Sequence, residues 1–180
     1  MSLLSLEHGK LAYRADFGAY GVAIAALSVD LAADAPRAQD LAIVAWVGAG
    51  LAAWSLIEYL FHRFLLHGMS PFREWHALHH ARPTARIASP TLFSASLIAG
   101  LVALPAWLMW GRWPACALTL GVTMGYYAYA ITHHATHHWR ATGPGAAGRK
   151  RRHAAHHHAG AAPRCFGVTS GVWDVVFRTA

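Results

Sequence analysis

Residues 41–61 read LAIVAWVGAGLAAWSLIEYLF, and the chain runs directly from this stretch into HRFLLH, residues 62–67. Glu58 is the only charged residue in the first stretch. A helix of roughly 20 apolar residues is long enough to cross the hydrocarbon core of a bilayer. We therefore predict a membrane-spanning helix that carries two histidines, His62 and His67, at the end where it leaves the bilayer.

Three further stretches are candidates for membrane spans. Residues 91–111 and 113–131 contain no charged residue, whereas residues 17–33 are a weaker candidate because Asp30 interrupts them. Charged residues make up 13% of the chain and hydrophobic residues 56%, while charged residues are about a quarter of an ordinary soluble domain. We predict an all-α, integral membrane fold with four transmembrane helices in a single domain, residues 1–180. Pro105 is expected to kink the third span.

Lysine and arginine are unequally divided between the two sides that four spans would create. Thirteen of the fifteen would lie on the side of the N-terminus, the 62–89 loop and the C-terminal tail, and only Arg37 and Arg112 on the other. Since positive charge accumulates on the cytoplasmic side, the side with more lysine and arginine is predicted to be cytoplasmic.

The net charge of +7 does not indicate nucleic-acid binding, because the basic residues lie between apolar spans. The Ala- and Arg-rich composition is typical of a bacterial protein, whose membrane would be the inner one.

Ten of the fourteen histidines fall into four spaced clusters, all on the predicted cytoplasmic side. In three clusters the rings recur at i, i+3 or i+4, which is one face of a helix. A glycine-rich segment, residues 143–148, is expected to be flexible and to fold the last cluster back, so that the four clusters form a helical cap. The clusters are His62 and His67; His76, His79 and His80; His133 and His137; and His153, His156 and His157.

Ten imidazoles are enough to fill the coordination spheres of two metal ions. Neutral imidazole is the commonest protein metal ligand, and all-nitrogen ligation suits iron, zinc, copper or nickel rather than magnesium or calcium. The sequence has no Glu-x-x-His pair of the kind found in soluble carboxylate di-iron bundles. We predict a di-metal site at the membrane surface, where a lipid acyl chain can reach it.

The histidine motifs resemble those of the fatty acid hydroxylase/sterol desaturase superfamily, in the same order along the chain. The resemblance covers about residues 55–180. The tail, residues 166–179, is similar to the FGxSSxxWDxxFGT ending of fatty acid 2-hydroxylases, although Arg178 replaces its second glycine. The matching segments are EYLFHRFLLH (58–67), EWHALHH (74–80), THHATH (132–137), RHAAHH (152–157) and FGVTSGVWDVVFRT (166–179).

The resemblance implies a membrane di-iron oxygenase that uses O2 to hydroxylate a lipid acyl chain. It implies that the ten clustered histidines bind two iron ions, which zinc can replace in purified protein. Nothing in the sequence resembles the b-type cytochrome domain fused to some eukaryotic relatives. Electrons are therefore expected from a separate donor of ferredoxin or cytochrome type.

The same sequence features are compatible with other functions. Carotenoid hydroxylases have nearly the same histidine spacing and a similar size, and a sterol or lipid desaturase would use the same kind of site. The tail with its Trp-Asp pair favours the fatty acid branch. A membrane metal-binding or transport protein is the non-enzymatic alternative, but a transporter should carry its ligands near the bilayer midplane, whereas these histidines follow the ends of spans.

Two carboxylates are candidates for supporting the metal ligands. Glu58 lies four residues before His62, one turn away on the same helix face, where it would orient a ligand ring or pair with Arg63. Asp174 would support a ligand or pair with Arg178, four residues later.

Two histidines next to predicted ligands, His134 and His138, are assigned as supporting or surface groups. Their neighbours His133 and His137 have the spacing that places both rings on the same helix face. His134 and His138 have the same spacing, so an exchange of roles with these two ligands stays open as the alternative.

Overall fold

The computed structural model describes residues 7–160 and 162–180, and every regular element in this part of the chain is a helix. The all-α prediction is confirmed. The helices are α1 (Lys10–Asp34), α2 (Asp40–Leu60), α3 (Phe72–Ala81), α4 (Thr91–Ile98), α5 (Leu104–Trp110), α6 (Arg112–His138), α7 (Gly143–His157) and α8 (Val172–Val176), with a short 3-10 turn at Arg37–Gln39 and π-helical segments at Phe61–Leu66 and Ala99–Ala103.

Three continuous helical stretches are long and apolar enough to cross a membrane: Lys10–Asp34, Arg37–Leu66 and Thr91–Trp110. They contain the first two predicted spans and all of the third except Gly111, where the helix has ended. The fourth predicted span, residues 113–131, forms part of α6, and this span is less apolar because it includes three tyrosines and two threonines. Several of its side chains, among them Ala117 and Val122, are buried within the protein. The number of four spans is therefore approximate.

The helix of the third predicted span is distorted just before Pro105. Proline has no backbone N–H, and its ring clashes with the carbonyl group four residues earlier. The π-helical segment Ala99–Ala103 ends one residue before Leu104, which precedes Pro105. Widening of the helix at this point accommodates the ring.

The described chain divides into two compact units, each assembled from two stretches of sequence. The first, which we name the span unit, contains residues up to Trp54 together with Ala88–Tyr127. The second, which we name the histidine unit, contains Ser55–Ile87 and Ala128–Ala180 and includes all ten clustered histidines. That the whole chain is a single domain stays a prediction.

The core of the span unit is formed by α1, α2 and α6. Leu31, Ala117 and Leu120 are buried together, with Trp46 and Val47 packed against them. Apolar burial of this kind stabilises helix packing mainly through van der Waals contact when the surroundings are lipid.

Asp30, the charged residue that weakens the first predicted span, forms an ion pair in the folded protein. Arg112, at the start of α6, donates a hydrogen bond to the Asp30 carboxylate in an ion pair. An ionisable residue near a membrane span is costly unless it is paired or reaches the interface. The pairing offsets part of the cost of a charge near the end of α1, which ends at Asp34.

Two glycines allow α2 and α6 to approach backbone to backbone. A Cβ atom added at Gly121 would overlap the carbonyl oxygen of Val47, and one added at Gly50 would overlap that of Leu118. Small residues at a helix interface permit this close approach in membrane proteins. We expect Gly121→Ala to lower the free energy of unfolding by about 1–3 kcal/mol, the usual cost of overpacking a tight contact.

The matched control is Gly48→Ala on α2, where an added Cβ meets nothing within 4 Å. Alanine is the better helix former, so this variant should be neutral or slightly more stable. Denaturant-induced unfolding in detergent micelles measures both variants, and equal stabilities would contradict the close-contact interpretation.

Candidate metal centre

A π-helical segment brings the first two histidines together. Five residues turn an α-helix by about 500°, which would leave the side chains of His62 and His67 about 140° apart. The segment Phe61–Leu66 is π-helical, however, with hydrogen bonds from residue i to i+5. Residues five apart then lie on one side of the helix, and the two ring centroids are 5.3 Å apart.

Three further helices supply the other eight clustered histidines. The helix expected from the spacing of His76, His79 and His80 is confirmed as α3, while the last turns of α6 and of α7 carry the remaining clusters. The prediction of a flexible segment at residues 143–148 is wrong, because these residues form the first turns of α7. Pro144 lies in the first turn, where a missing N–H is tolerated, and alanines follow it.

The ten histidines assemble into two groups of five. Within each group one nitrogen from every ring lies within 4.8 Å of the others, an arrangement that can hold a metal ion. The groups do not follow the sequence clusters, because the clusters on α3 and α7 are each divided between them. The first histidine group is His62, His67, His76, His80 and His156, and the second histidine group is His79, His133, His137, His153 and His157.

The rings converge through their Nε2 atoms. Adjacent Nε2 atoms lie 2.8–3.2 Å apart, as in the pairs His62–His76, His67–His156 and His76–His80 of the first group and His79–His133, His137–His153 and His153–His157 of the second. Nitrogens bound about 2.1 Å from one ion and at right angles to each other would be about 3.0 Å apart. The spacing therefore fits ligands arranged around a shared ion.

The protonation of two rings follows from their partners. Nδ1 of His62 lies 2.6 Å from the carbonyl oxygen of Phe166, and Nδ1 of His156 lies 2.7 Å from that of Arg164. Because a carbonyl oxygen can only accept, each Nδ1 carries the proton and donates it. The Nε2 lone pair of each neutral ring is then directed into the first group, which is the form that binds metal.

Burial keeps these imidazoles neutral. Loss of solvation, reinforced by neighbouring histidines, lowers the pKa of His67 and of His80 to about 4 and that of His79 to about 3. The pKa of His137 is lowered to about 4 for the same reasons. Neutral nitrogen lone pairs that face one another cannot all be satisfied by hydrogen bonds, since each ring has a single proton. A borderline cation such as iron or zinc fits this donor set.

Both predicted supporting carboxylates are buried, but their hydrogen bonds reach the C-terminal backbone. Glu58, only 5% exposed, accepts bonds from the N–H groups of Val168 and Thr169 at 2.7 and 2.8 Å and from the Thr169 hydroxyl. Asp174, 2% exposed, accepts bonds from the N–H groups of Phe166 and Gly167 at 2.8 and 2.9 Å. Each carboxylate therefore supports the segment that contacts His62 and His156.

The neighbouring histidines His134 and His138 lie outside both groups. Their rings stack on each other with centroids 4.4 Å apart, and His134 also contacts Trp139. His138 is exposed. The arrangement places them on a separate face of α6 from His133 and His137.

Two contributors to the site carry no signal in the sequence. They are the backbone carbonyl groups of Arg164 and Phe166, which any residue could supply. Tyr129, four residues before His133 on α6, also lies beside the site, and its ring is parallel to that of His133 with centroids 5.7 Å apart.

Comparison with known proteins identifies the family. The family model described as "Fatty acid hydroxylase" matches residues 47–179. The chain is 32% identical over 152 residues to the dihydroceramide fatty acyl 2-hydroxylase FAH1 of Arabidopsis thaliana, covering 76% of this chain and 61% of that protein. It is 34% identical over 147 residues to the ceramide very long chain fatty acid hydroxylase SCS7 of Saccharomyces cerevisiae, covering 72% and 36%.

A solved structure has the same fold. Full-length scs7p, of which only the hydroxylase domain is visible, superposes with a TM-score of 0.78 and 26% sequence identity, covering 93% of this chain and 66% of that one. The chain thus spans between about a third and two thirds of the length of these relatives. With its apolar helices and paired histidine groups, the chain belongs to the fatty acid hydroxylase family of integral membrane proteins.

Proposed function

We propose that this protein is an O2-dependent membrane oxygenase that hydroxylates a lipid acyl chain at a centre of two iron ions. The observation that carries the proposal is the convergence of ten imidazoles into two groups of five. The matched relatives are named fatty acyl or fatty acid hydroxylases. The name of the Arabidopsis relative, a fatty acyl 2-hydroxylase, also motivates the 2-position of the acyl chain as the site of attack.

The ten clustered histidines would hold the metals, five to each ion. Iron bound at these positions would supply O2 activation and the cleavage of an unreactive C–H bond, chemistry that amino acid side chains cannot perform. The protein's own part would be to present neutral nitrogens and to fix the orientation of His62 and His156 through backbone carbonyl groups. No side chain is required as a nucleophile.

The overall reaction converts an acyl C–H bond, O2, two electrons and two protons into an alcohol and water. The two electrons would come from a separate donor of ferredoxin or cytochrome type. The distribution of lysine and arginine supports a cytoplasmic position for the histidine unit, where such a donor is available. The substrate would reach the site from the bilayer.

The test is high-resolution mass spectrometry of lipids from cells that express the chain. We expect acyl chains with one added oxygen at the 2-position, derived from isotopically heavy O2, and none in cells expressing His76→Ala. Oxygen on carotenoids in a carotenoid-producing host, or loss of two hydrogens, would replace the proposal by carotenoid hydroxylation or desaturation. Unchanged lipids together with no O2 uptake by purified protein and a chemical reductant would favour metal binding or transport.

A further inference from the structure

The two histidine groups are supported differently. In the first group, Nδ1 of His62 and Nδ1 of His156 each donate a hydrogen bond to a backbone carbonyl group of the C-terminal segment Arg164–Thr179. We name this segment the clasp. In the second group, Nδ1 of His79, His153 and His157 is buried without a hydrogen-bond partner within residues 7–160 and 162–180. The clasp therefore orients rings of one group only.

The clasp is held in place by the two buried carboxylates. Four consecutive backbone N–H groups, those of residues 166–169, all donate to Asp174 or Glu58. Hydrogen bonds to an ionised acceptor are stronger than neutral ones. The Phe166 carbonyl that binds His62 thus belongs to a residue whose own N–H is fixed by Asp174.

Further contacts close the clasp on itself. The Cys165 N–H donates to the carbonyl oxygen of Thr179 at 2.7 Å, and the Thr179 hydroxyl donates to Asp174 at 2.9 Å. Cys165, which separates the carbonyls of Arg164 and Phe166, has φ +55°, a conformation that non-glycine residues rarely adopt. A strained residue of this kind persists only where surrounding bonds hold it.

We propose that Glu58 and Asp174 are positioning residues that act through the clasp on His62 and His156, so that loosening the clasp releases the metal ion of the first histidine group and leaves that of the second. This inference rests on the two-metal centre of the proposed function but not on the lipid reaction. Residues that orient metal ligands typically contribute about 10–100-fold to metal affinity. We expect a loss of that size, confined to the first group.

Substitutions that each remove one negative charge can show whether metal affinity depends on the position of the clasp or on charge alone. Asp174→Asn places an amide NH2 opposite the N–H of either Phe166 or Gly167, so one hydrogen bond becomes a donor–donor contact. Glu58→Gln keeps an oxygen for the N–H groups of Val168 and Thr169, and its NH2 can donate to the Thr169 hydroxyl. Asp174→Asn and Glu58→Ala should therefore loosen the clasp, and Glu58→Gln should retain most of the affinity. Glu74→Gln, at an exposed ion pair in the same unit, is the charge control.

The readout is the number of zinc ions that remain on the purified, zinc-loaded full chain in detergent after dialysis against graded chelator. We expect two ions in the unsubstituted protein and in Glu74→Gln, and one in Asp174→Asn. In a second-group variant, His133→Ala, adding Asp174→Asn should remove the remaining ion. In a first-group variant, His76→Ala, adding Asp174→Asn should leave the remaining ion in place.

Retention of both ions by Asp174→Asn and Glu58→Ala, or loss of both ions in both variants, overturns the proposal. An unsubstituted protein that binds no zinc and no iron overturns the two-metal centre as well. Normal metal counts without any lipid product would refute the proposed reaction and leave the role of the clasp standing. The two ideas can therefore fail separately.

Discussion

Replacing His79 by alanine is expected to reduce lipid hydroxylation by more than about 100-fold, beyond the usual effect of losing a group that only orients a ligand. The His79 side chain is 5% exposed, and its Nε2 lies 3.0 Å from that of His133 within the second histidine group. Removing the ring takes away one of five converging nitrogens and leaves a cavity among the others. Hydroxylated lipid per molecule of membrane-inserted protein is the quantity to measure.

The matched control is His158→Ala. His158 directly follows His157 on the chain, but its ring is exposed and its Nδ1 bonds to the carbonyl oxygen of Ala154, outside both groups. Turnover in this variant should stay within about twofold of the parent, since a solvent-facing substitution away from the site has a small effect. If His79→Ala retained its turnover, or if both variants lost it equally, the second group would have no specific role.

Stripping the metals is expected to destabilise the histidine unit specifically. A ligand that binds only the folded state stabilises it by RT ln(1 + [L]/Kd), about 4 kcal/mol for each site at a thousandfold excess over Kd. Without a cation, the converging lone pairs of each group also face one another unsatisfied. Chelation should therefore increase amide hydrogen exchange in Ser55–Ile87 and Ala128–Ala180 and lower the melting temperature.

The span unit provides the internal reference. Its stretch Ala88–Tyr127 contains none of the clustered histidines, so its exchange should change little on chelation. Adding zinc back should restore protection in the histidine unit. Uniform deprotection of both units, or no change in either, would contradict the assignment of metal binding to the two histidine groups.

Much of the fold could be read from the sequence because its signals are local. Long apolar runs predict spanning helices from composition alone, and Pro105 predicts the distortion where a π-helical segment lies. The short helix α3 follows from the spacing of its three histidines. The error at residues 143–148 is of the same local kind, because glycine lowers helix propensity, whereas Pro144 and the packing of His153 and His156 favour the helix.

The division of the ten histidines into two groups was decided only by the tertiary structure. His76 and His79 are three residues apart on α3 yet belong to different groups. His62 and His156 come from the first and the last histidine clusters along the chain, yet their ring centroids are 4.5 Å apart. The group to which each ring belongs depends on how four helical elements pack, and spacing within one helix cannot specify that.

The sequence by itself determined the all-α membrane class and the four histidine clusters, and it offered Glu58 and Asp174 only as candidates for supporting groups. Only the tertiary structure decided how those carboxylates act, because they bond to backbone N–H groups, which every residue type except proline possesses. The bond from His62 to the Phe166 carbonyl joins residues 104 positions apart. Hydrophobicity and helix propensity are properties of neighbouring residues, whereas a contact at that separation exists only after the chain has folded.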